Sequence, residues 1–296
     1  MKRMILAAVL LAFALCASAI CGYQLLRRGG FDDLPPDNQL PALRVTESGL
    51  RLHSAGSFTF AVLGDMRWDS SPRIATLEAA QEHAPLFMVN LGDVVEFARA
   101  DEWQKYIQEL TAHWRQDIRY FHIPGGHSLN VRLSGVRPHF YDHYFGKTYY
   151  YVDTDSSWRF IFLDASLPFI GLGQHLWLRN TLKDAQEKGM KIVMFMHHPP
   201  RDEQRGAKKA LLGASTWLLA KSLEGYRIQA IFAAHIHKTF DFNWNGIPVY
   251  ITSLNPSTWK GMPTYYRLVH VEGDSLKVEV RQIDADSHAA MADMSS

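Results

Sequence analysis

Five stretches of this 296-residue chain put acids or imidazoles where an apolar run ends. "SFTFAVLGD" ends at Asp65 and "PLFMVNLGD" at Asp93. "RYFHIPGGH" ends at His127, "KIVMFMHHPP" carries His197 and His198, and "IQAIFAAHIH" carries His235 and His237. In open α/β sheets the ligand site lies beyond the carboxyl ends of the strands, so these are positions of one kind. Carboxylate and imidazole together suit Zn²⁺, Mn²⁺ or iron. Singly, each has an ordinary structural explanation. Asp after Gly forms turns and caps helices. The glycines before His127 supply φ > 0 to a loop. The histidines of "HHPP" fall where prolines stop a strand. His235 and His237 lie two apart, on one face of an extended segment. Five such coincidences point to one cleft lined with metal ligands.

Such a cleft needs a framework, and from about residue 56 strands alternate with helices. Helices are predicted over 72–83 and 100–114, the second with Asp101 as its cap and Glu102 in its first turn. Residues 148–164 read as two strands joined by a polar turn. A helix over 173–189 stops at Gly189, and another covers 207–225. "IPVYIT", "YYRLVHV" and "LKVEVRQ" are strand-like with no helix between them. This alternation is that of βαβ units, an α/β fold with a central sheet covered by helices.

The N-terminus differs. Residues 4–26 follow Lys2 and Arg3 and contain no charge over 23 residues, about the length that crosses a bilayer. Ala17-Ser18-Ala19 within them suits signal peptidase. Residues 1–28 are expected to be a membrane anchor or a cleaved signal peptide, either of which delivers the rest to the cell envelope, on its periplasmic side, or to the outside. Residues 29–55, rich in Pro and Gly at their start, read as a linker, 56–285 as the domain, and 286–296 as a frayed tail. Both cysteines, Cys16 and Cys21, lie in the apolar segment, so the domain has neither disulfide nor thiolate chemistry. Four of the 31 basic residues lie in the first 28, which hold no acid, leaving 27 basic against 30 acidic residues. That slightly acidic balance argues against nucleic-acid binding.

The order of "GDMR" (64–67), "GDVVE" (92–96), "GGHS" (125–128), "HHP" (197–199) and "AHIH" (234–237) resembles the calcineurin-like metallophosphoesterases, which include the purple acid phosphatases. The resemblance spans roughly 56–285, with weaker features in "FIFLD" ending at Asp164 and "GQHLWL" after it. It implies a four-layer fold, a central β-sandwich flanked by helices. It also implies two metal ions (Zn, Mn or Fe) about 3.5–4 Å apart. Asp93 would bridge them, Asp65 and His237 would hold the first, and His197 and His235 the second. A metal-bound hydroxide would attack phosphorus, with His127 as general acid.

The chain departs from the family pattern at four places. Arg67 stands where the family has a histidine ligand, Gly126 where it has an asparagine, Ser128 where an acid orients the catalytic histidine, and Ala234 where there is a glycine. Each metal position keeps three of four expected protein ligands. Arg67, always charged, would supply positive charge beside the first position or weaken cation binding there. The reading is a metal-dependent phosphoesterase holding one or two ions and acting on a phosphate ester, small molecule or lipid. Its alternative is a catalytically impaired member that binds a phosphorylated ligand or a protein partner.

Overall fold

The computed structural model describes residues 40–67, 70–129, 139–203, 210–253 and 263–283. The apolar segment 4–26 and the tail 286–296 lie outside them. Among the described residues no helix is long and apolar enough to cross a membrane.

Among the described residues, twelve strands form two sheets. The first runs in the order β12 (Ser275–Ile283), β11 (Thr264–Glu272), β2 (Ser57–Leu63), β3 (Phe87–Asn90), β4 (Arg119–His122). The second has β1 (Leu50–Leu52), β5 (Tyr150–Thr154), β6 (Trp158–Phe162), β7 (Lys191–Phe195), β8 (Ile228–Ala233), β10 (Ile247–Ile251) and β9 (Phe240–Trp244). β2, β3 and β4 are parallel, as are β6, β7 and β8.

The period of two explains the layers. In β2, Phe60 and Val62 enter the core between the sheets, while Ala61 and Leu63 enter the core under α1 (Ser70–Glu82), α2 (Ala100–His113) and α3 (His139–Phe145). In β7, Val193 and Phe195 take the middle layer, and Ile192 and Met194 meet α4 (Leu172–Glu187) and α5 (Gly213–Leu223). Strands buried on both faces read as continuous apolar runs, as these do. The middle layer centres on Phe60, which stacks on Phe87 at 4.9 Å and meets Phe160, Phe195 and Phe232 edge-on. This is the expected helix-flanked β-sandwich.

Three local expectations are corrected. The stretch read as linker, 29–55, joins the fold from Leu40 onwards. Leu40, Leu43 and Val45 are buried, and β1 pairs with β5, because these apolar residues cover the open side of both cores. Asp101 does not cap α2. The helix begins at Ala100, as expected, but its N-cap residue is Arg99, and Glu102 reaches back to accept from the backbone N–H groups of Phe97 and Arg99. Within the helix expected over 207–225, the described residues 210–212 are not helical and the helix runs Gly213–Leu223, because the N–H groups of Leu211 and Leu212 donate to the carbonyls of Pro199 and Pro168.

Candidate metal centre

The carboxyl ends of β2, β3 and β4 in one sheet and of β7 and β8 in the other converge. Past them the chain turns sharply. Asp65, Asp93, His235 and His237 all have positive φ, between 52° and 67°. For non-glycine residues this left-handed conformation is costly, and such strain collects at functional sites. Two glycines make the approach possible. A Cβ on Gly92 would lie 2.6 Å from the Gly125 nitrogen. One on Gly125 would lie 2.1 Å from Asp93 Oδ1. Ala234, at a family glycine position, is accommodated without strain: it is fully buried, its φ is not positive, and its Cβ faces Gly64.

The strand ends are tied across the sandwich. His197 Nδ1–H donates to the Leu91 carbonyl at 2.8 Å, which leaves Nε2 directed at Asp93 Oδ2, 3.4 Å away. The His235 backbone N–H donates to Asp65 Oδ1 at 3.2 Å, and the His127 N–H to Asp93 Oδ1 at 2.9 Å. His235 Nδ1 lies 3.2 Å from His197 Nε2.

These separations test whether a metal fits. Zn–N bonds of about 2.0–2.1 Å set tetrahedral ligands about 3.3 Å apart. The Asp93–His197 and His197–His235 separations, 3.4 and 3.2 Å, are edges of that size. Asp65 Oδ2 is buried and accepts no hydrogen bond, and the buried Asp93 Oδ2 meets only the His197 ring, at 3.4 Å. A buried polar atom left so costs ~1–3 kcal/mol, more when charged, which a cation would offset. Two groups of ligand atoms lie within 4.8 Å of one another: Asp65, Asp93 and His197, and His197, His198 and His235. The residues fit a metal.

The electrostatics agree. Burial alone would raise the Asp93 carboxyl and lower the His197 imidazole. The charge and hydrogen bond that each offers the other reverse both shifts, so Asp93 sits well below the usual carboxylate range and His197 above its usual value. Without a cation His197 carries a proton that a metal must displace.

His237 belongs to neither ligand group; Arg67 Nη2 donates to its Nε2 at 3.4 Å. Arg67 Nη1 also pairs with Glu96 Oε2 at 3.1 Å. The guanidinium is almost fully buried and lies beside Asp93, whose pKa it helps to lower. His127, half-buried, holds its Nδ1 2.7 Å from the Glu96 carbonyl oxygen and 3.6 Å from its carboxylate. Glu96 therefore orients the histidine, while the buried Ser128 hydroxyl makes no hydrogen bond. Sequence reasoning gave neither Glu96 nor His198 a role. Glu96 closes the second motif, three residues after Asp93, and His198 is the second histidine of "HHP".

A family model for the calcineurin-like phosphoesterases matches residues 58–239. Among solved structures, the chain is similar to a dimetal phosphatase from Danio rerio at 16% identity and a TM-score of 0.54, covering 77% of this chain and 99% of that one. It is similar to a purple acid phosphatase from yellow lupin seeds at 13% identity and a TM-score of 0.60, covering 81% of this chain and 53% of that one. A third likeness is to GAP50, described as the anchor in the inner membrane complex of Plasmodium, at 12% identity and a TM-score of 0.51, covering 79% and 94%. A search of curated protein sequences gives no match.

Proposed function

Because the chain belongs to the calcineurin-like phosphoesterases, a family of metal-dependent hydrolases of phosphate esters, we propose that this cleft hydrolyses a phosphate ester, with Asp93, His197 and His235 holding a divalent ion and His127 as the general acid. The observation that carries the reading is the buried cluster of Asp65, Asp93 and His197, whose ligand atoms lie within 4.8 Å of one another and in which Asp65 Oδ2 accepts no hydrogen bond. An ion bound there, Zn, Mn or Fe, would supply Lewis-acid polarisation of the phosphoryl group and a nucleophile at neutral pH.

The chain's own residues do the rest. Asp93 stays ionised, and the carbonyl of Leu91 fixes the His197 tautomer. The Glu96 carbonyl accepts a hydrogen bond from His127 Nδ1–H, so that in the imidazolium form the proton given to the leaving oxygen comes from Nε2, and the ring is left as the neutral Nδ1–H tautomer. Arg67, anchored by Glu96, contributes a fixed cation against the phosphate charge. Purified protein should turn over a generic aryl phosphate, lose that turnover to a chelator and regain it with added metal. Metal-loaded protein without turnover would point instead to the second reading, an impaired member that binds a phosphorylated ligand or a partner. The Arg67–His237 contact, at the expected first metal position, favours that second reading.

The uncharged run 4–26 supports delivery of the domain across a membrane. Cell fractionation that finds the intact chain in the cytoplasm would remove that proposal.

A further inference from the structure

Resting on the metal-dependent reading above, we propose that His198 is a further ligand of the ion held by Asp93, His197 and His235. One ring nitrogen of each of the three histidines lies within 4.8 Å of the others, and His198 is buried. Its ring lies against that of His235, with centroids 3.8 Å apart.

The backbone prepares His198 in the same way as its neighbour. His197 Nδ1–H donates to the Leu91 carbonyl at 2.8 Å; His198 Nδ1–H donates to the Ala165 carbonyl at 2.7 Å. A carbonyl on Nδ1 fixes the tautomer in which Nε2 keeps its lone pair, the arrangement that metal-bound histidines show. The Ala165 carbonyl is itself held. It accepts the His198 backbone N–H at 3.2 Å. One residue back, Gln174 clamps the Asp164 backbone from both sides: Asp164 N–H donates to Gln174 Oε1 at 2.8 Å, and Gln174 Nε2 donates to the Asp164 carbonyl at 2.9 Å. Ser166 Oγ–H then donates to Asp164 Oδ1 at 2.7 Å. A mere filler of space needs no such support.

The same loop abuts Gly126. A Cβ there would meet only the Ser166 carbonyl, at 3.2 Å. The turn that lacks a ligating side chain and the loop that orients His198 are therefore neighbours, and His198 supplies the coordination that Gly126 does not.

The test uses the full-length protein with one equivalent of Zn²⁺. X-ray absorption should count three imidazoles on the ion; a count of two overturns the proposal with no variant required. Chelator competition then compares variants. His198→Asn keeps a donor for the Ala165 carbonyl but has no second ring nitrogen. His198→Phe keeps a ring against His235. Both should bind Zn²⁺ at least about 10–100-fold more weakly, and Gly126→Asn should restore affinity in the His198→Asn background. Melting of the metal-free variants monitors their folding. If either variant binds as tightly as wild type, His198 is only packing and the proposal fails while the metal reading stands. If wild type binds no Zn²⁺ at all, the metal reading fails and this one with it.

Discussion

At position 67 a guanidinium lies between Glu96, at 3.1 Å, and His237, at 3.4 Å. It is permanently charged, and its donation to His237 Nε2 occupies the lone pair that a metal would need. Wild type is therefore expected to hold one ion per chain, and Arg67→His to hold two, by elemental analysis after desalting. Two tightly held ions in wild type would show that other residues complete the first position. His127 raises a separate question, that of the proton. As general acid it should matter most for poor leaving groups, so His127→Gln should lower kcat by about 10²–10⁴ on an alkyl phosphate. On an aryl phosphate, whose leaving group needs little protonation, the loss should be much smaller. Equal losses on both substrates would remove His127 from that role and leave it as a packing residue on Glu96.

The strand-end turns set the site's precision. The turn after β4 passes so close to Asp93 that residue 125 has no room for a side chain: a Cβ would lie 2.1 Å from Asp93 Oδ1 and 2.5 Å from its nitrogen. Gly125→Ala should then displace the carboxylate and abolish Zn²⁺ binding in a direct titration. Gly126→Ala, next along the same turn, meets only a carbonyl at 3.2 Å and should bind nearly as wild type. If the two substitutions behave alike, close packing of the turn on Asp93 is not what fixes the carboxylate. The positive φ of Asp65, Asp93, His235 and His237 belongs to this scale too. At roughly 1–3 kcal/mol each, four such turns persist only because two packed sheets over-determine them.

Over the whole molecule, pH is expected to act through a buried group that belongs to neither ligand cluster, His122. His122 on β4 is fully buried, stacks on Phe145 at 4.0 Å and shares a hydrogen bond with the Tyr106 hydroxyl. Burial pushes its pKa down to about 3 from 6.5. The folded state therefore binds fewer protons than the unfolded chain below pH 6.5. Its stabilising neutrality is fully present above that pH and is lost as pH falls towards 3, by at most about 1.4 kcal/mol per unit. Between pH 6.5 and 4 the Tm of wild type should fall more steeply than that of His122→Asn; parallel curves would place the acid sensitivity elsewhere. Asp93 and His197 titrate as a pair, and bound metal removes their proton. The comparison is therefore best made on metal-loaded protein.

Much of the fold and site was legible because it rests on local patterns. Apolar runs such as "SFTFAVL" and "KIVMF" need no tertiary information to be read as strands buried on both faces. The ordered motifs placed Asp65, Asp93, His127, His197 and His235 at their ends, and all five meet in one cleft. Boundaries set by distant partners were not legible: residues 40–52 are held by β5 and the two cores, and the start of α5 by the Pro168 and Pro199 carbonyls. Nor were the roles of Glu96, which acts on His127 partly through its backbone carbonyl, and of His198, oriented by the carbonyl of Ala165. A backbone carbonyl carries no signature in the amino-acid code. The sequence by itself determined which acids and imidazoles stand at the ends of the apolar strands. Only the tertiary structure decided that a guanidinium meets His237 and that His198 and His235 crowd round the imidazole of His197, which faces Asp93, because both depend on how two separately formed sheets pack face to face.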